Sequence, residues 1–253
     1  MYSILEHYLS TNHILMIGMI VTFILTFFLL EHPFSFLPSD QGRAFAVNGS
    51  LSKGKLRGVG FIFVLCFLIS SVLFLPIDVE YVIYAILLFA MMISGYLDDA
   101  SKTPWNEYKK GLIDLVISVV AVLTYMNFNS TTICFGADEI VIPKALFLIL
   151  GVILIWVSVN VTNCTDGVDG LCASLCSVTL LAFGVLFAPI LQKYAMANFL
   201  FLSVLFAYLY FNSSPSSMLM GDAGSRALGF YIAVIALKST HPFIYILLAA
   251  VMI

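Results

Sequence analysis

Polar residues recur at every third position in one stretch that lies between two long apolar segments. Asn160, Asn163, Asp166 and Asp169 mark this repeat. On a helix, such spacing keeps neighbouring side chains on one side, while the stripe drifts by about 60° per step. Carboxamides and carboxylates are unfavourable in so hydrophobic a context unless they face a cavity, an ion or each other. The spacing therefore indicates a functional site.

An adjacent acidic pair, Asp98 and Asp99, directly follows another apolar segment, so both carboxylates lie near a predicted helix C-terminus. The helix dipole disfavours negative charge there by a few tenths to about 1 kcal/mol, which favours a functional role for the pair. The alternative is a solvated loop in which Lys102 pairs with one of these carboxylates at i+3 or i+4.

Asp222 precedes a third apolar segment and has glycines close on both sides, at positions 221 and 224. The free amides of a helix N-terminus attract anions and can bind phosphate. Because Asp is also a good N-cap residue, capping alone is the alternative interpretation. The two glycines favour close approach of the backbone to a ligand.

The composition is that of an integral membrane protein. Of the 253 residues, 62% are hydrophobic and 10% are charged, whereas soluble domains have about 25% charged residues. Unbroken apolar segments of about 13 to 20 residues predict helices and not the strands of a barrel. We predict an all-α, polytopic transmembrane helical bundle, a single membrane domain over residues 1–253, with about nine spans. These are residues 14–30, 59–75, 81–97, 111–126, 145–161, 171–190, 196–211, 223–237 and 242 to the end.

The distribution of lysine and arginine predicts the orientation of the bundle. Loops after the odd-numbered spans hold eight of the 11 lysines and arginines, and cover residues 31–58, 98–110, 162–170 and 212–226. The positive-inside rule places these loops in the cytoplasm and the N-terminus outside. The same loops hold five carboxylates, Asp98, Asp99, Asp166, Asp169 and Asp222. Clustered anions repel each other, so their convergence predicts a divalent metal, nearby lysines, or both.

The longest of these loops carries four cations and four glycines over residues 40–58. A flexible basic loop suits a phosphorylated substrate at the membrane surface, and binding of anionic lipid head groups is the alternative. Lys109 and Lys110 are either interfacial anchors or partners of the acidic cluster. The scattered histidines and the five cysteines lack metal-ligand spacing, so we interpret them as interfacial and packing residues.

Three motifs, taken in order, resemble the polyprenyl-phosphate N-acetylhexosamine-1-phosphate transferases and, within them, the phospho-N-acetylmuramoyl-pentapeptide transferase family. They read Asp98-Asp99-x-x-Lys102, Asn160-x-x-Asn163-x-x-Asp166-Gly-x-Asp169-Gly170-Leu171 and Met220-Gly-Asp222-x-Gly-Ser225. The resemblance covers about residues 40–240. It implies a fold of usually ten spans in the bacterial inner membrane, with a cytoplasmic Mg²⁺ site. The implied reaction moves phospho-MurNAc-pentapeptide from its UDP-activated form to undecaprenyl phosphate, giving lipid I and UMP for peptidoglycan synthesis.

The resemblance also implies roles by motif position. Asp98, Asp99 and Asp222 would be catalytic, with Asp222 and Asp99 as Mg²⁺ ligands and Asp98 deprotonating or orienting the lipid phosphate. The implied substrate-binding residues are Asn160, Asn163, Asp166, Asp169, Gly170, Lys102, Lys110, Leu219 and Ser225. The family's tendency to form homodimers extends to this chain by analogy, and no nucleic acid partner is expected.

The chain departs from the family pattern in two main places. Leu219 stands where the family often has a Phe that stacks on uracil. The sequence ends inside an apolar segment at Ile253, before the family's last spans and a histidine-bearing loop, which predicts a chain truncated at its C-terminus.

Three other functions stay open at this point. A UDP-GlcNAc transferase is the alternative within the same reaction class. An ion-coupled transporter predicts midplane carboxylates and inverted repeats, neither of which the sequence shows. The third alternative is a non-catalytic fragment that binds nucleotide through residues 160–171.

Overall fold

The computed structural model describes residues 1–32, 34–40, 42, 52–101, 103, 105–136 and 138–250. Over these residues the chain forms eleven helices and one antiparallel hairpin of two strands. The helices are α1 (Tyr2–Leu5), α2 (Thr11–Glu31), α3 (Gly60–Phe74), α4 (Val79–Asp99), α5 (Glu107–Phe128), α6 (Lys144–Thr165), α7 (Leu171–Leu186), α8 (Ala188–Leu191), α9 (Lys193–Asn212), α10 (Gly221–Lys238) and α11 (Pro242–Ala249). The strands are β1 (Thr132–Phe135) and β2 (Asp138–Val141).

The predicted all-α transmembrane bundle is confirmed. Each of the nine predicted spans coincides with a main helix, in the order α2 to α7 and then α9 to α11, and the span 171–190 also includes most of the short α8. Within the described residues, α2, α4, α5, α6 and α9 are long and apolar enough to cross a membrane, and α3 and α7 are shorter apolar helices. The small hairpin between α5 and α6 was not predicted.

Several helices extend beyond the apolar segments that predicted them. Helix α4 continues to Asp99, α6 continues to Thr165, and α10 begins at Gly221. Hydropathy detects only the apolar part of a helix, whereas the backbone hydrogen bonds continue through polar residues. The acidic motifs therefore lie largely on helix ends rather than in loops. The side of the membrane on which these ends lie stays a prediction.

Helix α10 is the centre of the bundle. Every residue from Gly221 to Leu237 is buried, and the helix packs against α3, α4, α6 and α7. A helix that is enclosed on all sides needs neighbours close to its axis, which small residues allow. By contrast, α2 exposes large apolar side chains, including Met16, Ile20 and Phe28, as expected for a lipid-facing helix.

Two glycines bring neighbouring backbones into contact at the start of α10. A Cβ atom on Gly95 of α4 would lie 2.3 Å from the backbone oxygen of Asp222. A Cβ atom on Gly60 of α3 would lie 2.1 Å from the backbone nitrogen of Gly224. Both separations are too short for any larger residue. The first turn of α10 is thus held directly against α3 and α4.

A largely buried polar cluster joins α4, α5 and α10 at the ends that lie away from the acidic motifs. The Lys238 ammonium lies 3.0 Å from each carboxylate oxygen of Glu80 and 2.7 Å from the amide oxygen of Asn129. The Asn129 amide nitrogen donates to Glu80 at 2.7 Å. Because Glu80 opens α4 and Lys238 ends α10, this cluster fixes the axial register of the two helices.

Gly95→Ala tests the backbone contact at the start of α10. Its added methyl group must push α4 away from Asp222, so we expect a loss of about 1–3 kcal/mol in stability. A lower thermal unfolding midpoint in detergent would show this loss.

Gly111→Ala is the matched control, because its Cβ atom would meet nothing closer than Trp156 at 3.9 Å. Equal midpoints for the two variants would contradict the packing described for Gly95.

Candidate active site

Charged residues from three helix ends meet at one place in the bundle. Asp98 and Asp99 lie in the last turn of α4, Lys110 lies in the first turn of α5, and Asp222 lies in the first turn of α10. Asp98 and Asp222 are buried, and the side chain of Asp99 is fully enclosed. Neither of the alternative interpretations of these acids fits, because Asp98 and Asp99 are not solvated and the N-cap of α10 is Met220.

Lys110 joins two of the acids. Its ammonium lies 2.6 Å from Oδ2 of Asp98 and 3.3 Å from Oδ2 of Asp222. The other oxygen of Asp98 accepts a hydrogen bond from the backbone nitrogen of Trp105 at 2.7 Å. The predicted partnership of Lys110 with the acidic cluster is thus present in the structure.

Arg57 contacts three carboxylates at once. Its Nε donates to Asp99 at 2.8 Å, its Nη1 to Asp40 at 3.2 Å, and its Nη2 to Asp222 at 3.3 Å. From the sequence, Arg57 is only one cation of a basic loop, and no motif distinguishes Asp40. The signal available was an arginine two residues before the apolar segment 59–75, which does not by itself identify a partner.

The surrounding carboxylates stabilise the positive charge of Arg57. Burial alone would lower the pKa of its guanidinium, but Asp99, then Asp222 and Asp40, raise that pKa above its usual range. Among the described residues, this cluster thus holds four acids, Asp40, Asp98, Asp99 and Asp222, against two cations, Arg57 and Lys110. The formal balance is two negative charges.

The backbone at the start of α10 also binds Asp99. The amide nitrogen of Ala223 donates to Oδ2 of Asp99 at 3.1 Å. Gly221 has φ +66°, and a Cβ atom there would lie 2.3 Å from the same oxygen. Only glycine both accepts this conformation and leaves room for the carboxylate.

The four residues of the third-position repeat do not all lie at the acidic cluster. Asn163 donates to the hydroxyl of Ser225 at 2.9 Å and also interacts with the carboxylate of Asp222. Asn160 donates to the carbonyl of Trp156 on its own helix at 2.7 Å. Asp166 is buried at the C-cap of α6. Asn163 and Ser225 are thus the predicted substrate-binding residues that adjoin the acidic cluster.

Asp169 and Gly170 hold the segment that leads into α10. Asp169 accepts hydrogen bonds from the backbone nitrogen of Ser216 at 2.9 Å and from its hydroxyl at 2.8 Å. The Gly170 nitrogen donates to the side chain of Asn212 at 3.0 Å. Lys55 adds a bond to the Ser216 hydroxyl at 2.9 Å. These contacts give Asp169 a structural role, and its predicted nucleotide contact stays a prediction.

Two predicted substrate-binding residues remain, Leu219 and Lys102. Leu219 is buried, and its backbone pairs with residues on either side of Arg57: its nitrogen donates to Leu56 at 2.8 Å and its oxygen accepts from Val59 at 3.2 Å. Lys102 lies outside the described residues.

A second charged pair lies one helical turn further along α5 and α10. Asp114 follows Lys110 by four residues, Arg226 follows Asp222 by four residues, and the two side chains form a buried ion pair. The second terminal nitrogen of Arg226, Nη1, is buried and has no hydrogen-bond partner among the residues that the structure describes. This pair was not predicted, although each of the two charges is the fourth residue of its apolar segment.

The oxygen chemistry of the cluster suits a hard cation. Mg²⁺ uses oxygen ligands, commonly one or two carboxylates completed by substrate phosphates and water. Asp99 and Asp222 offer such oxygens, although both are engaged by Arg57. No group of three or more His, Cys, Asp or Glu residues is arranged as a metal site within the described part of the chain. A protein-only metal cage is therefore not formed there.

Comparison with known sequences assigns the family. The profile described as glycosyl transferase family 4 matches residues 81–240. The phospho-N-acetylmuramoyl-pentapeptide-transferase of Treponema pallidum is 34% identical over 94% of this chain and 71% of the relative. The protein of the same name from Halalkalibacterium halodurans is 28% identical over 96% of this chain and 80% of the relative.

The chain belongs to glycosyl transferase family 4, among the phospho-N-acetylmuramoyl-pentapeptide-transferases. It is therefore a membrane-embedded transferase. The family match begins within α4 and ends just after α10, so it includes Asp98, Asp99, Lys110 and Asp222. Asp40 and Arg57 precede the matched range.

Removing Arg226 tests the deeper ion pair of this family 4 transferase. Arg226→Met leaves the Asp114 charge buried without compensation, so we expect a stability loss of about 3–5 kcal/mol. The thermal unfolding midpoint in detergent measures it.

The double variant Asp114→Leu, Arg226→Met is the matched control. Two apolar side chains replace both charges, so most of the lost stability should return. If the double variant is no more stable than Arg226→Met, the ion pair is not the cause.

Proposed function

We propose that this transferase moves phospho-MurNAc-pentapeptide from UDP to undecaprenyl phosphate and releases UMP. The observation that carries the proposal is the convergence of Asp98, Asp99, Lys110 and Asp222 from three helices in a chain of this family. Carboxylates and cations packed so closely at helix ends suit phosphoryl transfer, in which catalysis is mainly positioning and charge stabilisation.

The acceptor is a lipid, so we propose that its phosphate reaches the helix ends at the membrane surface. The excess of lysine and arginine in the loops on this side supports a cytoplasmic location for the site. A cytoplasmic site also suits a UDP-linked donor, which is a soluble nucleotide. On this proposal the N-terminus lies outside the inner membrane.

In the proposed reaction, an oxygen of the acceptor phosphate forms a bond to the β-phosphorus of the donor. The bond between that phosphorus and the bridging oxygen breaks, and UMP leaves with the electron pair. Asp98 orients the acceptor phosphate or removes its remaining proton. Lys110, which lies between Asp98 and Asp222, neutralises charge on the diphosphate.

We further propose that Asp222 and Asp99 hold Mg²⁺. Both provide carboxylate oxygens, and the local excess of two negative charges equals the charge of one such ion. When bound, Mg²⁺ would stabilise negative charge on the diphosphate. Lys110 already neutralises part of the carboxylate charge, and the metal would neutralise more of it.

The nucleoside end of the donor is assigned to the residues beside the cluster. Asn163 and Ser225 present an amide and a hydroxyl next to Asp222, and Asp166 lies at the end of the same helix as Asn163. Gly170 and Leu219 complete the proposed pocket, with Asn160 one turn before Asn163. Leu219 has no aromatic ring, so it contributes an apolar contact and cannot stack on uracil.

Release of UMP is the direct test of the activity. Purified protein in detergent is mixed with undecaprenyl phosphate, Mg²⁺ and either UDP-MurNAc-pentapeptide or UDP-GlcNAc. We expect UMP only with the first donor. UMP from UDP-GlcNAc alone would show that the protein is a UDP-GlcNAc transferase. No UMP from either donor would show that it is not an active transferase.

Asp222→Asn removes a carboxylate charge from the proposed metal site, so turnover should fall by about 10²–10³-fold. UMP release across a Mg²⁺ titration measures this. Asp138→Asn, an exposed acid on β2, is the control and should not change turnover. Near wild-type turnover for Asp222→Asn would make the metal assignment wrong.

Asn163→Ala should weaken donor binding more than it changes Mg²⁺ dependence. Loss of one or two hydrogen bonds predicts a rise of about tenfold in KM for the UDP-sugar. The control is Cys164→Ala, which changes the exposed neighbouring side chain. A variant with normal donor KM and an altered Mg²⁺ requirement would contradict the proposed role.

A further inference from the structure

Arg57 occupies the position between the two carboxylates proposed to bind the metal. Its Nε and Nη2 contact Oδ1 of Asp99 and Oδ1 of Asp222, at 2.8 and 3.3 Å. A guanidinium that bridges these two oxygens and a cation that coordinates them compete for the same space and the same charge. The two arrangements therefore exclude each other at these atoms.

The side chain of Arg57 can move, whereas its backbone is held. The Arg57 nitrogen donates to the carbonyl of Pro38 at 2.9 Å, and the neighbouring Leu56 carbonyl accepts from Leu219 at 2.8 Å. By contrast, 28% of the Arg57 side chain is exposed, while the Asp99 side chain is fully buried. Displacement thus requires rotation of one side chain toward its open side and no change in the fold.

We propose that Arg57 binds the diphosphate of the nucleotide-sugar donor after a divalent cation displaces it from Asp99 and Asp222. This inference rests on the proposed function and adds a substrate-binding residue to it. In the absence of substrate, the guanidinium neutralises the two carboxylates. On binding, the metal takes over that role, and the planar fork of donors on Arg57 is free to contact phosphate oxygens, which it matches in geometry.

The other cations near the site that the structure describes do not have this arrangement. Lys110 contacts Oδ2 of Asp222 and Oδ2 of Asp98, so it leaves the facing oxygens of Asp99 and Asp222 to Arg57. Lys55 bonds to Ser216 and lies 3.9 Å from Asp169, away from the acidic cluster. Among the described cations, Arg57 is thus the one that bridges both proposed metal ligands.

One substitution of Arg57 should strengthen metal binding and weaken donor binding. In Arg57→Gln, the competing cation is gone, so Mn²⁺ without substrates should bind about tenfold more tightly. The same variant lacks the phosphate-binding fork, so its KM for the UDP-sugar should rise about tenfold. Electron paramagnetic resonance of unbound Mn²⁺ measures the first effect, and UMP release measures the second.

Lys53→Gln is the matched control, because it removes one positive charge from an exposed position on the same segment. It should change neither quantity by more than about twofold, since exposed charges are screened by solvent. Arg57→Lys keeps the charge without the fork. We expect its Mn²⁺ affinity to stay near the wild-type value, while its KM for the donor still rises.

Each contrary result has a distinct meaning. Weaker or unchanged Mn²⁺ binding in Arg57→Gln, with binding that still depends on Asp222, overturns this inference and leaves the proposed metal site standing. A normal donor KM in Arg57→Gln also overturns it. If neither the wild-type protein nor Arg57→Gln binds Mn²⁺, the proposed metal site fails together with the inference. A cooperative unfolding transition well above the assay temperature in each variant excludes misfolding as the cause.

Discussion

Burial of α10 on all sides is the constraint on which the rest of the structure depends. Its first two turns carry Asp222 and Arg226, and the surrounding helices exclude water from both. A buried charge is tolerated only when another group compensates it. Lys110 and Arg57 do this for Asp222, and Asp114 does it for Arg226. The same pairs hold α5 and the segment before α3 against the central helix.

Register along the helix axes follows from contacts at both ends of α10. At the site, Gly95 and Gly60 allow backbones to touch, which leaves little freedom for sliding. At the far end, Glu80 and Lys238 tie α4 to α10 through a second buried ion pair. Because these same helices present Asp98, Asp99 and Asp222, packing far from the site determines the distances within it.

Hydropathy predicted the helices because it responds to long apolar segments, and the motifs predicted which polar residues would gather at their ends. The partners were not predictable in the same way. Whether Arg57 meets Asp99 and Asp222, or Asp114 meets Arg226, depends on the rotation and register of helices that are far apart in sequence. The partner of Asp169 was equally unpredictable. Its position in the motif indicated a substrate contact, whereas its contacts with Ser216 arise from the path of the chain after α9.

Excess negative charge in the cluster accounts for the contacts that its acids make with cations from two parts of the chain, Arg57 before α3 and Lys110 on α5. Among the described residues, Arg57 and Lys110 are the cations that contact the four enclosed carboxylates, which leaves a formal excess of two negative charges. Repulsion among the carboxylates favours binding of a further cation. The donor and acceptor are themselves anionic, so they bind well only after this charge has been offset. An arginine that is bonded to the acids but has one open side can compensate their charge and can also reach an anionic substrate. It stabilises the cluster before the substrates arrive, and it is still close enough to contact them afterwards.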